Sequence, residues 1–174
     1  MAPRIVLVRG DITLQDVDAV VNAANTAMRP GGGVDGTITR AAGPTAMADR
    51  ERLIRERGEP PLPTGTAVAG DGGDLPARWI IYTAGPVYRG SASDAELLAA
   101  CHSACLAAAD GVGARAVAFP AISTGVYGYP LDEAASIAVG TVAEADSQVE
   151  EVRFVLFDDR ALAAFRRALD AATG

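Results

Sequence analysis

The sequence predicts an α/β fold of three layers, α/β/α. Three observations carry the prediction. Short β-branched runs alternate with Ala-rich stretches of helical length along all 174 residues. Two glycine-rich loops, Gly31-Gly32-Gly33-Val34-Asp35-Gly36 and Ser123-Thr124-Gly125-Val126-Tyr127-Gly128, each stand between an apolar stretch and a helical one. With 49% hydrophobic and 21% charged residues the chain can fill one core, and no linker, repeat or low-complexity tract divides it, so residues 1–174 read as one domain.

Taken in order, residues 4–9 and 17–21 read as strands, the second entering a polar loop. A helix is expected from about Asp35 through Ala42, breaking at Gly43-Pro44 and resuming to about Arg57, where Gly58 and three prolines stop it. Residues 66–69 and 79–83 are two further strands around the turn-rich Gly70-Asp71-Gly72-Gly73-Asp74. Ser93 and Glu96 form a capping box for a helix to about Asp110, and residues 116–119 are a buried strand ending at Pro120. Pro130 suits the first turn of a helix reaching about Ala145. Residues 152–157 form the last strand, and Asp158 or Asp159 caps the closing helix.

Composition excludes several chemistries. The formal charge of −7 argues against a surface that collects nucleic-acid phosphates. All 15 basic residues are Arg, which removes a Walker A lysine, a Schiff-base lysine and a Ser-Lys dyad. Absence of Lys beside abundant Ala and Gly reads as codon bias of a GC-rich bacterial genome. The N-terminus lacks a signal-peptide pattern and no apolar run reaches membrane-spanning length, so a cytoplasmic protein with reduced thiols is expected. Cys101 and Cys105 read as small packing residues of a core-facing helix. With His102 the only histidine, they lack partners for a zinc site, and no metal or cofactor is expected.

The two loops point to phosphate. Glycine lets backbone approach a ligand, and amides at a helix start are unpaired donors beside a partial positive charge. Gly31, Gly33 and Gly36 satisfy G-x-G-x-x-G, yet about nine residues separate the preceding strand from the first glycine, which is wrong for a dinucleotide fold. Ser123 lacks the G-x-S-x-G elbow of a serine hydrolase. Ser123, Thr124 and Gly125 read instead as a phosphate cradle of hydroxyls and amides, or as a structural turn.

Gly10-Asp11-Ile12-Thr13, residues 17–25 ending in Asn22-Ala23-Ala24-Asn25, the loop from Gly31 to Gly36, Arg40-Ala41-Ala42-Gly43 and residues 118–128 together resemble the signature blocks of macrodomains. The similarity is to the MacroD-type ADP-ribosyl hydrolases and runs from Ile5 to the final helix. It implies a mixed sheet flanked by helices, with ADP-ribose bound at the sheet's crest. By the same resemblance Asp11 and the Ile12 amide meet the adenine, Phe157 stacks on it, and the diphosphate lies between Gly32, Gly33, Val34 and Ser123, Thr124, Gly125, Val126, Tyr127. Asn25 holds the distal ribose, and Asp35 sits over its anomeric end. The implied reaction is metal-independent hydrolysis of the ester between mono-ADP-ribose and a protein Asp or Glu, or of O-acetyl-ADP-ribose, by a monomer. Thr39 and Tyr82 depart from the family pattern: Thr39 stands where many relatives place histidine after the glycine loop, and Tyr82 where the strand before Gly85-Pro86 commonly carries another.

These residue types suit the chemistry. A positioned water needs help in losing its proton, and Asp35, made harder to ionise by the nearby diphosphate, is the candidate base, with the phosphate itself able to share the role. Asn25 orients without adding charge. Asn22 is expected to brace the loop through side-chain to backbone bonds. Structural rivals are that Asp35 only caps a helix, that Phe157 is core, that Asp11 caps a turn, and that Tyr127 and Tyr129 are packing aromatics. Functional rivals are a reader that binds ADP-ribose without cleaving it and a phosphatase acting on ADP-ribose 1″-phosphate.

Overall fold

The computed structural model describes residues 1–174. Strand β1 (Arg4–Arg9) leads through a short 3-10 turn (Ile12–Leu14) to β2 (Ala19–Ala24), helix α1 (Gly33–Glu56), and the strands β3 (Ala67–Asp71) and β4 (Trp79–Ala84). Helix α2 (Ala92–Gly111), β5 (Ala116–Phe119), α3 (Leu131–Ala143), β6 (Glu151–Leu156) and α4 (Asp159–Thr173) follow. The six strands run in the order β1-β6-β5-β2-β4-β3, all parallel except β3, which pairs antiparallel to β4 at one edge. The fold is therefore the predicted α/β/α arrangement around a mixed sheet.

The layers are unequal. Ile38, Ala42, Ala46 and Leu53 of α1 pack with Val20, Ile80 and Ala118 on one face. The other face takes α2, α3 and α4, whose Leu98, Cys105, Ala135, Val139 and Phe165 close over Val21, Ile81, Phe119 and Phe154. His102 lies in this second core, its Nδ1 2.8 Å from the Leu98 carbonyl and its ring stacked on Phe119. Both cysteines are free and buried there.

Local sequence explains the boundaries. Gly43, at φ 78°, takes the left-handed conformation that breaks α1, and Pro44 begins the second half where no amide is needed. The Ala42 carbonyl left over at the break accepts the Asp74 amide at 2.8 Å, so the β3–β4 turn closes the first half of the helix. The capping box of α2 is Ser91 with Asp94, two residues earlier than Ser93 with Glu96, because the helix starts at Ala92. Pro130 stands just before α3 rather than within its first turn. Asp158 caps α4 by accepting the Ala161 amide. Strand β2 is displaced towards Ala24 relative to the expected 17–21, since Asp18 is occupied in accepting the Arg115 and Ala116 amides. No helix is long and apolar enough to cross a membrane.

Candidate functional site

Five parallel strands end at one edge of the sheet, and the segments that follow them succeed one another in strand order: Gly10–Asp11, Phe157, 120–129, 25–32 and Gly85. In open α/β sheets the carboxyl edge is where a crevice forms, at the point where strands part. Here the parting is between β5 and β2. Their ladder closes over only two residue pairs, Ala19–Val117 and Val20–Ala118, whereas β2 and β4 pair over six. Beyond Val20 the two strands separate, and each carries its glycine-rich loop to one side of the gap.

The first loop is shaped by buried charge. Asp35 is only 4% exposed and Arg50 2%. The Arg50 guanidinium grips the carboxylate in a fork, Nη1 to Oδ1 at 2.7 Å and Nη2 to Oδ2 at 2.9 Å. Asn22 Nδ2 and Thr39 Oγ1 donate to Oδ1 at 3.0 Å each, and the Gly31 amide donates to Oδ2 at 3.2 Å. Arg50 Nε also donates to the Met28 carbonyl at 2.6 Å, where Met28 holds a left-handed φ of 58°. Asn25 closes the same turn, its Nδ2 donating to the Arg29 carbonyl and its Oδ1 accepting the Arg29 amide. Ahead of this brace the amides of Gly32, Gly33 and Val34, at the start of α1, have no acceptor in the protein.

Several expectations change here. Asp35 does not overhang open space, nor is it a helix cap: α1 is capped at Gly32, and the carboxylate lies behind the loop. The protein's own groups move its proton affinity in the direction opposite to the one a nearby diphosphate would impose. Burial pushes the carboxyl up, but the Arg50 hydrogen bonds, then those of Asn22, and the Arg50 charge outweigh it, leaving Asp35 below the ordinary carboxylate value. Asn22 braces as expected, though through Asp35 rather than through backbone. Thr39 and Tyr82, the two departures from the family pattern, both belong to this nest, Tyr82 lying with its ring 5.0 Å beneath the Arg50 guanidinium and its phenol pushed up to about 12 by burial.

The second loop is shaped by backbone. Ser123 sits at φ 68°, its carbonyl accepting the Tyr129 amide, while Gly128 donates to Gly125 and Tyr88 donates to Tyr127. The amides of Gly125, Val126 and Tyr127 have no acceptor in the protein, and Val126 is fully exposed. The hydroxyls do not join them. Ser123 Oγ is buried without a partner, packed against Gly85 so closely that a Cβ there would stand 2.3 Å away, and Thr124 Oγ1 donates to the Ala121 carbonyl. The cradle of hydroxyls and amides is thus one of amides. Tyr129 is a buried packing aromatic against Tyr88, and Tyr127 is half-buried.

At the far end of the edge, Phe157 projects from the end of β6 with 91% of its surface exposed, so it is not core. Asp11 does cap the 3-10 turn, with Oδ1 accepting both the Thr13 amide and hydroxyl, which holds its carboxyl below the ordinary value. Its Oδ2 is left without a protein partner, and Ile12 is buried beside it.

The residue that sequence reasoning missed is Arg50. A signal was present: Ala42, Ala46 and Arg50 recur every fourth residue on the buried face of α1, and a lone cation on such a stripe needs a buried carboxylate.

Comparison with known proteins places these features in a family. Residues 21–138 match the model of the Macro domain family. A macro domain-containing protein of Streptomyces coelicolor is 54% identical over 165 residues, covering 95% of this chain and 98% of that protein. An O-acetyl-ADP-ribose deacetylase of Klebsiella pneumoniae is 47% identical, covering 96% of this chain and 95% of its own length. Among solved structures, the Oceanobacillus iheyensis macrodomain with ADP superposes with a TM-score of 0.86 at 38% identity, covering 96% of this chain and 90% of that one. The Trypanosoma brucei macrodomain in complex with ADP-ribose gives 0.79 at 36% identity, covering 95% and 68%.

Proposed function

This chain belongs to the macrodomain family, and on that premise we propose that it binds ADP-ribose along the crest of the sheet and hydrolyses O-acetyl-ADP-ribose, together with the esters that join mono-ADP-ribose to Asp or Glu side chains of proteins. The observation that carries the reading is the pairing of two sets of unpartnered amides, Gly32–Val34 and Gly125–Tyr127, on either side of the gap between β2 and β5. Two such sets suit two phosphates. The similarity to a deacetylase at 47% identity supports the reaction class.

In this reading the diphosphate lies between the loops, the adenine stacks on Phe157 and its amino group donates to Asp11 Oδ2, with the Ile12 amide alongside. The distal ribose reaches Asn25. Its carboxamide keeps one N–H and one lone pair beyond the two bonds to Arg29, enough to orient a hydroxyl or a water. Water adds to the acyl carbon, the bond from that carbon to the ribose oxygen breaks, and one proton of the water ends on the ribose hydroxyl, giving ADP-ribose and a carboxylic acid that releases its remaining proton to solvent. Asp35 already accepts five hydrogen bonds and is held ionised, so a phosphate oxygen of the substrate takes the water's proton in passing. Asp35 contributes by fixing Gly31 and Asn22, and positioning of this kind supplies much of a barrier reduction.

The closed environment of Asp35 favours one rival, a reader that binds without cleaving. Two measurements decide: calorimetry with ADP-ribose, and acetate or ADP-ribose release from O-acetyl-ADP-ribose and from an Asp/Glu-linked mono-ADP-ribosylated protein. Binding with release is expected. Binding without release from either ester leaves the reader, and absence of binding overturns the site itself.

A further inference from the structure

The buried guanidinium of α1 has a reach that a stabilising ion pair does not require. Arg50 Nε holds the Met28 carbonyl, Nη1 holds Asp35 and touches Thr39 Oγ1 at 3.3 Å, and Nη2 holds the other Asp35 oxygen. Met28 in turn donates its amide to the Asn25 carbonyl at 3.0 Å. One planar group therefore ties the turn that presents Asn25 to the helix start that presents the Gly32–Val34 amides. Stability alone does not call for such a pair, because well-packed apolar residues of similar volume commonly match or exceed a buried ion pair. Nor is the packing beside it tight: a cavity of about 10 Å3, lined by Asn22, Thr39, Arg50 and Tyr82 among others, adjoins the pair, and Asn22 Oδ1 has no protein partner.

We propose that Arg50 is a positioning residue for ester hydrolysis, setting the distance between Asn25 and the first-loop amides through its simultaneous hold on Met28 and Asp35. The proposal rests on the hydrolase reading above. Lysine keeps the charge but offers one ammonium in place of a planar fork, so it cannot hold both anchors.

The test compares wild type with Arg50→Lys and with the charge-free pair Arg50→Met plus Asp35→Leu, following melting temperature, kcat and KM on O-acetyl-ADP-ribose, and amide exchange of the ligand-free protein. In folded Arg50→Lys, kcat is expected to fall at least about tenfold with KM changed less than about threefold. The charge-free pair is expected to melt at or above Arg50→Lys while kcat stays low, which a purely stabilising role would not produce. A folded charge-free pair turning over within about twofold of wild type overturns the proposal. Should wild type cleave no ester, the hydrolase reading falls, and exchange decides on Arg50 separately. Faster exchange of the Met28, Arg29 and Gly31 amides in Arg50→Lys, with β-strand amides unchanged, supports the hold, and equal exchange in the two proteins refutes it.

Discussion

The two loops that face each other across the crest present the same chemistry, three free amides each, and are held by opposite means. The first, from Asn25 to Asp35, rests on a guanidinium–carboxylate pair buried in the α1 layer. The second, from Ser123 to Gly128, rests on main-chain hydrogen bonds and on one strained residue, with no side-chain charge behind it. Amide cradles need rigidity, and either buried charge or backbone geometry can supply it. The difference lies in how each fails: the first loop is coupled to the core's electrostatics and the second to its sterics.

Removing the carboxylate is the largest expected blow to that distinction. Asp35→Ala leaves Arg50 charged and buried without its partner, and Gly31, Asn22 and Thr39 without their acceptor, so a loss of about 3–5 kcal/mol is expected. For a chain of this size that lowers the melting temperature by roughly 6–20 °C. Hydrolysis should fall with the displaced first loop, while some ADP-ribose binding persists through the second loop and Phe157. Calorimetry and acetate release on the same sample check both. Ester turnover equal to wild type would remove the first loop's brace from the mechanism.

Acid separates the two layers. His102 in the α2 layer is held neutral by burial, with a pKa lowered to about 4, so the unfolded chain binds a proton first as pH falls. Its contribution is complete above about 6.5 and is lost between there and 4, about 3 kcal/mol in all. Asp35 is lost in the same direction but at lower pH: its folded value is depressed, so its contribution holds above the unfolded carboxylate value of about 3.9 and is lost only as pH drops through that folded value. Urea titrations at stepped pH should therefore show a decline from pH 6.5 to 4 that His102→Leu flattens and Arg50→Lys does not.

The same contrast explains what could be read from the chain. Both glycine loops, the strand–helix alternation, the break at Gly43-Pro44 and the Asp158 cap were legible because each depends on local chemistry. The exposure of Phe157 followed from a family likeness rather than from its pattern, which a core strand end would share. The direction of the Asp35 shift was not legible. It depends on Arg50, fifteen residues away in sequence and across a helix break; the stripe of Ala42, Ala46 and Arg50 puts a cation on a buried face, but nothing local names Asp35 as its partner. Ser123 misled for a related reason: a hydroxyl in a phosphate-type loop reads as a ligand, but its left-handed backbone turns Oγ toward Gly85.

Steric failure of the second loop should be milder than electrostatic failure of the first. A Cβ at residue 85 would stand 2.3 Å from Ser123 Oγ and 2.6 Å from Ile122 Cγ2, so Gly85→Ala has to push the loop outward. Overpacking of this kind is worth about 1–3 kcal/mol. The melting temperature should drop less than in Asp35→Ala, and ADP-ribose affinity should weaken by about tenfold as the Gly125–Tyr127 amides shift. An unchanged affinity would show that the second loop is not a wall of the diphosphate site.

Relieving the strain rather than adding to it gives the smallest effect and the only favourable one. Ser123 holds φ 68° and buries a hydroxyl with no partner, so glycine at that position removes about 1–3 kcal/mol of backbone cost and an unsatisfied group. Against this, glycine gives back roughly 0.5–1 kcal/mol in unfolded-chain entropy. Ser123→Gly should therefore stabilise by about 1 kcal/mol in urea unfolding. The freed backbone would at the same time loosen the amides beyond it, weakening ADP-ribose about two- to fivefold. The first loop is braced instead by charged and hydrogen-bonded side chains, so removing one partner alone destabilises it. If Ser123→Gly instead loses stability, its hydroxyl has a partner in solution and the second loop, like the first, is held by a side chain.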